Sequence, residues 1–408
     1  MTWICSQIGA REHYAVPRVL HRTGKLERLY TDLWAGTMWQ ALGSLTGRSV
    51  LGNRYHKDLV DVKVTSFDVT TIMDSVFGGD LKKNPYNWFQ YVGRDFGERV
   101  VESFKRQKNI NWKELIFFGY DTGFLEPARW IRERGGKSIV CQMDPSRFEV
   151  DLIREESKLW PGFARRAIDV PEAYFMRREA EWAVADLVMV NSDWSKQALI
   201  RQGVRDEKIV VVPLAYEAEM ARVKGLNMKK EVFTQKQPLR VLFLGQVILR
   251  KGIQYLIEAA RLLGNESVHF DVVGSIGISQ AGVKSAPSNM TFHGPVNRLE
   301  TDSFYRAADL FVLPTLSDGF ALTQLEAMAH GLPVIATPNC GEVVSDGLDG
   351  LTVPACDPMA LAEAIQFLIQ SPEKLWMMSK ATKDKVDQFS LERLGTNLAS
   401  LENRLFTR

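Results

Sequence analysis

Two stretches in the second half of the chain carry residue types whose spacing suits anion chemistry. In Gly245–Gly252 (GQVILRKG) an apolar run ends on a glycine, Gln246 follows it, and Arg250 and Lys251 stand just ahead of a helical pattern. Two cations there can neutralise a diphosphate, although the same pair also reads as a solvated start of a helix. In Ser317–Thr337 (SDGFALTQLEAMAHGLPVIAT), Gly319 lets the backbone come close to a ligand. A helix starting near Phe320 would leave the N–H groups of Phe320, Ala321 and Leu322 free for an anion. Thr323, Glu326 and His330 share the polar face of that helix, opposite Leu322, Leu325 and Ala329. A carboxylate about one and a half turns from the phosphate end can reach the ribose of a nucleotide, which singles out Glu326. His330, just before Gly331 and Pro333, reads instead as a complement to the helix C-terminus.

These loops need strands to carry them. Short apolar runs bounded by glycine or polar residues alternate with helix-period segments, the pattern of parallel α/β units. The first half is expected to hold strands near Trp3–Ile8, Val62–Phe67, Leu115–Gly119, Ser138–Met143, Leu187–Asn191 and Ile209–Val212. The alternation restarts with strands at Val241–Gly245, His269–Val273, Asp309–Leu313 and Val334–Ala336, and helices at Ile253–Leu263 and Phe320–His330. Between the halves lies a polar, lysine-rich, poorly periodic stretch closed by Pro238. The expected organisation is therefore an α/β domain over 1–218, a linker over 219–238, a second doubly wound domain over 239–371, and two helices over 372–408 packed outside one or both domains.

The bulk properties exclude several classes of protein. The chain has 408 residues with 45% hydrophobic and 25% charged, as in ordinary globular proteins, so disordered and fibrous classes drop out. A net charge of +2 is too balanced for a protein built to hold a nucleic-acid backbone. Cys5, Cys141, Cys340 and Cys356 are far apart, have no metal-ligand spacing with one another or with the six histidines, and fit a reducing, cytoplasmic setting. Met1–Ala10 lacks the basic start of a signal peptide, and no run approaches a membrane span.

The second of the two stretches resembles the carboxylate-x7-Glu signature of the retaining family 4 glycosyltransferases, with Asp318 and Glu326 in the two places. The resemblance extends over Val241 to about Leu368 through the G(x)5KG of Gly245–Gly252, the Val272-Val273-Gly274 strand end, the FHGPV of Phe292–Val296, and Gly341-Glu342 followed by DGLDGLTV. Val190–Glu217 is similar to the end of that family's first domain. The resemblance implies a GT-B architecture, two Rossmann-like domains facing across a cleft, and transfer of a sugar from a nucleoside diphosphate sugar to a hydroxyl acceptor with retention. By position, Lys251 and Arg250 would take the donor diphosphate, Phe320–Thr323 its phosphates, Glu326 the ribose and Asp318 the sugar hydroxyls, with no metal or other cofactor required. Two positions depart from the family. Gln246 stands where the family commonly has arginine, leaving Arg250 to substitute, and Asp318 is one methylene shorter than the usual glutamate.

The acceptor half is read from loops that follow strands: Gly9 in the first, Asp121 in GYDT and Asp144 in QMDP. Each aspartate is equally placed to cap the turn that follows it. The acceptor implied is a glycan or a lipid-linked one. Leu81–Lys113 interleaves Trp88, Phe89, Tyr91 and Trp112 with basic residues, which could dock on an anionic membrane face, but Asp95, Glu98 and Glu102 favour an amphipathic surface helix. Two other readings stay open: a sugar-nucleotide epimerase or phosphorylase of the same fold, and a non-enzymatic subunit that binds sugar nucleotides.

Overall fold

The computed structural model describes residues 1–35, 54–68, 71, 79–108, 110–164, 169–217 and 231–406. The first sheet is built from β1 (Thr2–Gln7), β2 (Leu26–Thr31), β3 (Val64–Ser66), β4 (Leu115–Tyr120), β5 (Lys137–Cys141), β6 (Leu187–Val190) and β7 (Ile209–Val211). All its pairings are parallel, in the order β3-β2-β1-β4-β5-β6-β7. The second sheet, also parallel, contains β8 (Leu239–Leu244), β9 (Val268–Val273), β10 (Met290–Gly294), β11 (Leu310–Leu313), β12 (Val334–Ala336) and β13 (Gly350–Thr352), in the order β10-β9-β8-β11-β12-β13.

Helices cover both faces of each sheet. They are α1 (Ala15–Arg22), α2 (Pro85–Lys105), α3 (Leu125–Arg132), α4 (Arg147–Leu159), α5 (Glu172–Val184) and α6 (Asp193–Arg201) in the first domain. After them in the chain come α7 (Ile253–Leu262), α8 (Gln280–Lys284), α9 (Arg298–Ala307), α10 (Leu322–Ala329), α11 (Pro358–Gln370) and α12 (Pro372–Asp387) in the second domain, and the terminal α13 (Leu391–Phe406). Local chemistry sets several boundaries. Asn84 caps the N–H groups of Tyr86 and Asn87 with Pro85 in the first helical position of α2, and Asp357 caps Ala360 ahead of Pro358 in α11.

In each sheet the connections leave in opposite directions on either side of one point, between β1 and β4 in the first and between β8 and β11 in the second. Ligand crevices open beyond the carboxyl ends of the strands at such points. The loops after β1, β4, β8 and β11 therefore share one cleft.

The expected strands all form, to within a few residues of the sequence boundaries. Three more, β2, β10 and β13, complete the sheets: β2 (LERLYT) carries Glu27 and Arg28 in its half-exposed beginning, and β13 is three residues long. The terminal helices depart from an outer layer. α12 packs on α10 and α11, whereas α13 returns to the first domain and inserts Leu391, Leu394, Leu398, Leu401 and Leu405 into its core beside Val16, Val19 and Leu20. The alternating spacing of three and four in those leucines gives one continuous apolar stripe, and burying it ties the two ends of the chain together. Where the chain crosses back, the Tyr216 N–H donates to the Phe389 carbonyl at 2.8 Å. Most of the expected linker, 219–230, lies outside the described residues; its end forms a tight turn at Thr234–Gln237.

α2 settles as an amphipathic helix with Phe96, Val100 and Phe104 buried, and with Arg99–Asp95 and Lys105–Glu102 pairs on its surface. Phe89 and Tyr91 are exposed on it. Among the described residues no helix is long and apolar enough to cross a membrane.

Candidate active site

β8 delivers its cations through a turn that only glycine permits. Gly252 has φ +74°, and a Cβ on it would lie 1.8 Å from the Pro314 carbonyl oxygen of the neighbouring strand end. The loop is thereby pressed against the loop after β11, and the Leu316 N–H and Thr315 Oγ1 both donate to the Arg250 carbonyl. Lys251 and Arg250 converge on Asp318: the Lys251 ammonium contacts the carboxylate directly, and Arg250 Nη1 lies 3.4 Å from it. Arg250 also donates to the Ser317 carbonyl at 3.0 Å. Burial and the neighbouring Arg250 push Lys251 down to about 7. The Asp318 carboxylate works in the opposite direction and favours the ammonium.

α10 begins at Leu322, two residues later than the sequence pattern suggests, because the preceding backbone is used elsewhere. The Ala321 N–H donates to the Cys340 carbonyl, so it is not available to an anion as expected. The Phe320 side chain is buried against Phe389 and Gly341, which leaves only its backbone for that role. The N–H groups of Leu322 and Thr323 open the helix and have no intrahelical acceptor. Glu326 is half-buried, and its carboxylate accepts a hydrogen bond from Tyr305 at 2.8 Å. The Tyr305 ring stacks on His330, whose Nδ1 sits 2.7 Å from the Glu326 carbonyl at the end of the helix. His330 thus closes the helix, and its neighbour Tyr305 orients Glu326. Gln246 is exposed at the end of β8, and Arg250 is the arginine that reaches the Asp318 cluster.

The first domain adds two residues to this cluster: Glu149, which has no motif of its own, and Trp194, which lies in the Val190–Glu217 stretch. Glu149 on α4 accepts from Ser317 Oγ at 2.8 Å and lies 3.6 Å from Arg250. Trp194 Nε1 donates to the same hydroxyl at 3.1 Å. Burial pushes the Glu149 carboxyl up, with Arg250 opposing it. The two domains touch at Gly319, where a Cβ would lie 2.0 Å from the Met143 carbonyl oxygen and about as close as contact allows to the Asn191 amide.

Across the cleft, the sequence-selected acceptor residues fall around one arginine. Arg178 on α5 is buried and donates to Asp121 at 2.6 Å and to Asp144 at 2.6 Å. Burial raises Asp121 above the usual carboxylate range. At Asp144, which is only half-buried, desolvation raises the carboxyl less than Arg178 and the Ser146 N–H lower it, so it is held low. Asp144 does cap its turn, accepting from Ser146 N at 2.8 Å, while also pairing with Arg178. The Gly9 N–H donates to Asp32 at 2.8 Å, placing the loop after β1 at the same wall. That loop continues through Glu12, His13 and Tyr14, all with left-handed backbone, a concentration of strain that clusters at functional sites. Arg178 carried one legible signal: with Tyr174 and Trp182 it occupies i, i+4 and i+8 on the buried face of α5, where an unpaired arginine would be costly.

The cleft has two unlike walls: paired cations and a helix start on one, a buried carboxylate–arginine cluster on the other. With the two parallel, doubly wound domains that carry them, these walls give the chain a GT-B fold. Residues 238–371 match the protein family described as glycosyl transferases group 1. Over the whole chain the fold is similar to HepE from Anabaena, solved with UDP (TM-score 0.62, 15% identical, 98% of this chain and 99% of that one). It is also similar to sucrose-phosphate synthase from Thermosynechococcus elongatus (TM-score 0.64, 17% identical, 100% of both chains). In sequence, the amylovoran biosynthesis glycosyltransferase AmsK of Erwinia amylovora is 25% identical over 71% of this chain and 70% of that protein. A D-inositol 3-phosphate glycosyltransferase of Arthrobacter sp. is 31% identical over 38% of this chain and 39% of that protein. The chain spans about half the length, or less, of most of the curated relatives it matches.

Proposed function

We propose that the protein is a retaining, metal-independent glycosyltransferase that moves a sugar from a nucleoside diphosphate sugar to a hydroxyl of a glycan or lipid-linked glycan. The observation that carries this reading is the convergence of Lys251, Arg250 and Asp318 at the start of α10, with Glu326 further along the same helix. A diphosphate takes the two cations away from Asp318 and accepts from the N–H groups of Leu322 and Thr323. Asp318 is then available to the donor sugar hydroxyls, and Glu326, steadied by Tyr305, accepts from the ribose.

In the reaction the bond from the anomeric carbon to the diphosphate oxygen breaks, the bond to the acceptor oxygen forms, and the acceptor proton ends on the diphosphate. Charge grows on the leaving group as the first bond breaks, so cations fixed beside it stabilise the transition state more than the ground state. Lys251 and Arg250 supply the charge that a metal supplies elsewhere. HepE, solved with UDP and with UDP-glucose, makes uridine sugars the first donors to test, and AmsK makes polysaccharide assembly the first setting.

A thermal-shift panel of nucleoside diphosphate sugars, followed by transfer assays with the best ligand, tests the proposal. A donor that raises the unfolding temperature and is turned over supports it. No stabilisation by any member of the panel refutes it. The epimerase and phosphorylase readings predict donor isomerisation or a pyridoxal absorbance band in the same samples.

A further inference from the structure

The wall opposite the cations encloses a cavity of about 400 Å³, within the range of ~300–1,000 Å³ typical of small-molecule sites. Trp88, Phe96, Tyr120 and Tyr174 line it, and α2 closes it from the side. Four buried polar atoms of its lining residues have no hydrogen-bond partner: Ser6 Oγ, Gln7 Oε1, Asp121 Oδ1 and Arg178 Nε. Their residues are each at least nine-tenths buried. Buried polar groups are nearly always paired, so four orphans on residues that line one cavity point to a ligand there.

The chemistry of that ligand follows from what the orphans need. Gln7 Nε2 donates to the Gly9 carbonyl at 2.8 Å, which fixes the amide orientation and leaves its oxygen as an acceptor. Asp121 Oδ1 is likewise an acceptor, its other oxygen being held by Arg178 and Gln142. Arg178 Nε is a donor, and the Ser6 hydroxyl can serve either way. A hydroxyl both donates and accepts, whereas a phosphate or carboxylate offers acceptors alone and would set its oxygens against Gln7 and Asp121. The charge around the cavity points the same way. The lining arginines Arg11, Arg99 and Arg178 face the aspartates Asp32, Asp95, Asp121 and Asp144; Arg99 is paired with Asp95 and Arg178 with Asp121 and Asp144. Aromatic side chains supply apolar faces against which the C–H surface of a sugar ring can pack.

Resting on the reading of the protein as a glycosyltransferase, we infer that this cavity takes the acceptor as a neutral saccharide unit, with Ser6, Gln7, Asp121 and Arg178 reading its hydroxyls. Saturation-transfer NMR on the full chain, with and without nucleoside diphosphate, should show saturable binding of methyl α- or β-D-glucopyranoside or galactopyranoside. Glucose 6-phosphate and glucuronic acid should bind more weakly. Ser6→Ala removes only an unpaired hydroxyl and should weaken glycoside binding about 3- to 10-fold. Val92→Trp, which fills the cavity from α2, should abolish it, while nucleotide affinity stays unchanged in both variants. Tighter binding of the anionic sugars, no glycoside binding by a protein that binds nucleotide, or glycoside binding indifferent to both substitutions overturns the inference. Nucleotide binding in the same samples reports separately on the glycosyltransferase reading.

Discussion

Replacing Gly319 by alanine tests whether the two walls of the cleft act as one site. The residue does not occupy left-handed backbone, so alanine is conformationally allowed there; the obstacle is the first domain. Its Cβ would lie 2.0 Å from the Met143 carbonyl oxygen, where real contacts essentially never fall below 3.0 Å. The domains, or the loop carrying Asp318, must therefore separate by about 1 Å. A misplacement of that size can cost about 100-fold in rate, or about 2.7 kcal/mol of activation energy. The groups proposed to hold the donor all sit on the second domain, so donor affinity should change less than about 3-fold, which is under 1 kcal/mol. Steady-state transfer rates set against calorimetric donor affinity separate the two effects. If the Gly319→Ala enzyme keeps transfer within about 3-fold of the parent, the approach of the first domain at Met143 does not position the reactants, and the reasoning is wrong.

Glu326→Ala should weaken nucleotide binding by about 1.5–3 kcal/mol, the range for a hydrogen bond to a charged group, and Tyr305→Phe by less; unchanged calorimetric affinity in the first variant would falsify the ribose assignment. Lys251→Ala should lower turnover at least about 100-fold with a smaller effect on donor affinity, and the parent enzyme should keep its activity in excess EDTA; loss of transfer restored by magnesium sinks the metal-independent mechanism. Glu181 is fully buried, and that burial pushes its carboxyl up to about 7 against the pull of Arg177. A folded-state value above the unfolded one means stability is fully present below about 4.5 and declines as pH rises through about 7. Glu181→Gln should remove this slope, so denaturant titrations of the variant relative to the parent should shift in favour of the variant by on the order of 3 kcal/mol between pH 4 and pH 8. Parallel pH profiles would show that Glu181 titrates alike in both states.

The wall that carries Arg250, Lys251, Asp318 and Glu326 was legible because its determinants are local. Gly245, Arg250, Lys251, Asp318 and Glu326 lie in two short segments, each following a strand, and a strand, a tight turn and a helix start fix side-chain placement over a few residues. The strand alternation likewise announced two doubly wound domains, since apolar runs of that length between helical segments leave few other architectures. Periodicity did not mark β2, because Glu27 and Arg28 interrupt its apolar pattern, nor the core role of α13, whose leucine stripe could have packed on either domain. The facing wall depended on tertiary structure. Asp121, Asp144 and Arg178 come from two loops and a helix, and Glu149 and Trp194 reach Ser317 from more than a hundred residues away. Their significance is electrostatic: a carboxylate on a loop is an ordinary solvated group until folding removes its water and places one buried guanidinium within reach, and no spacing along the chain encodes that distance.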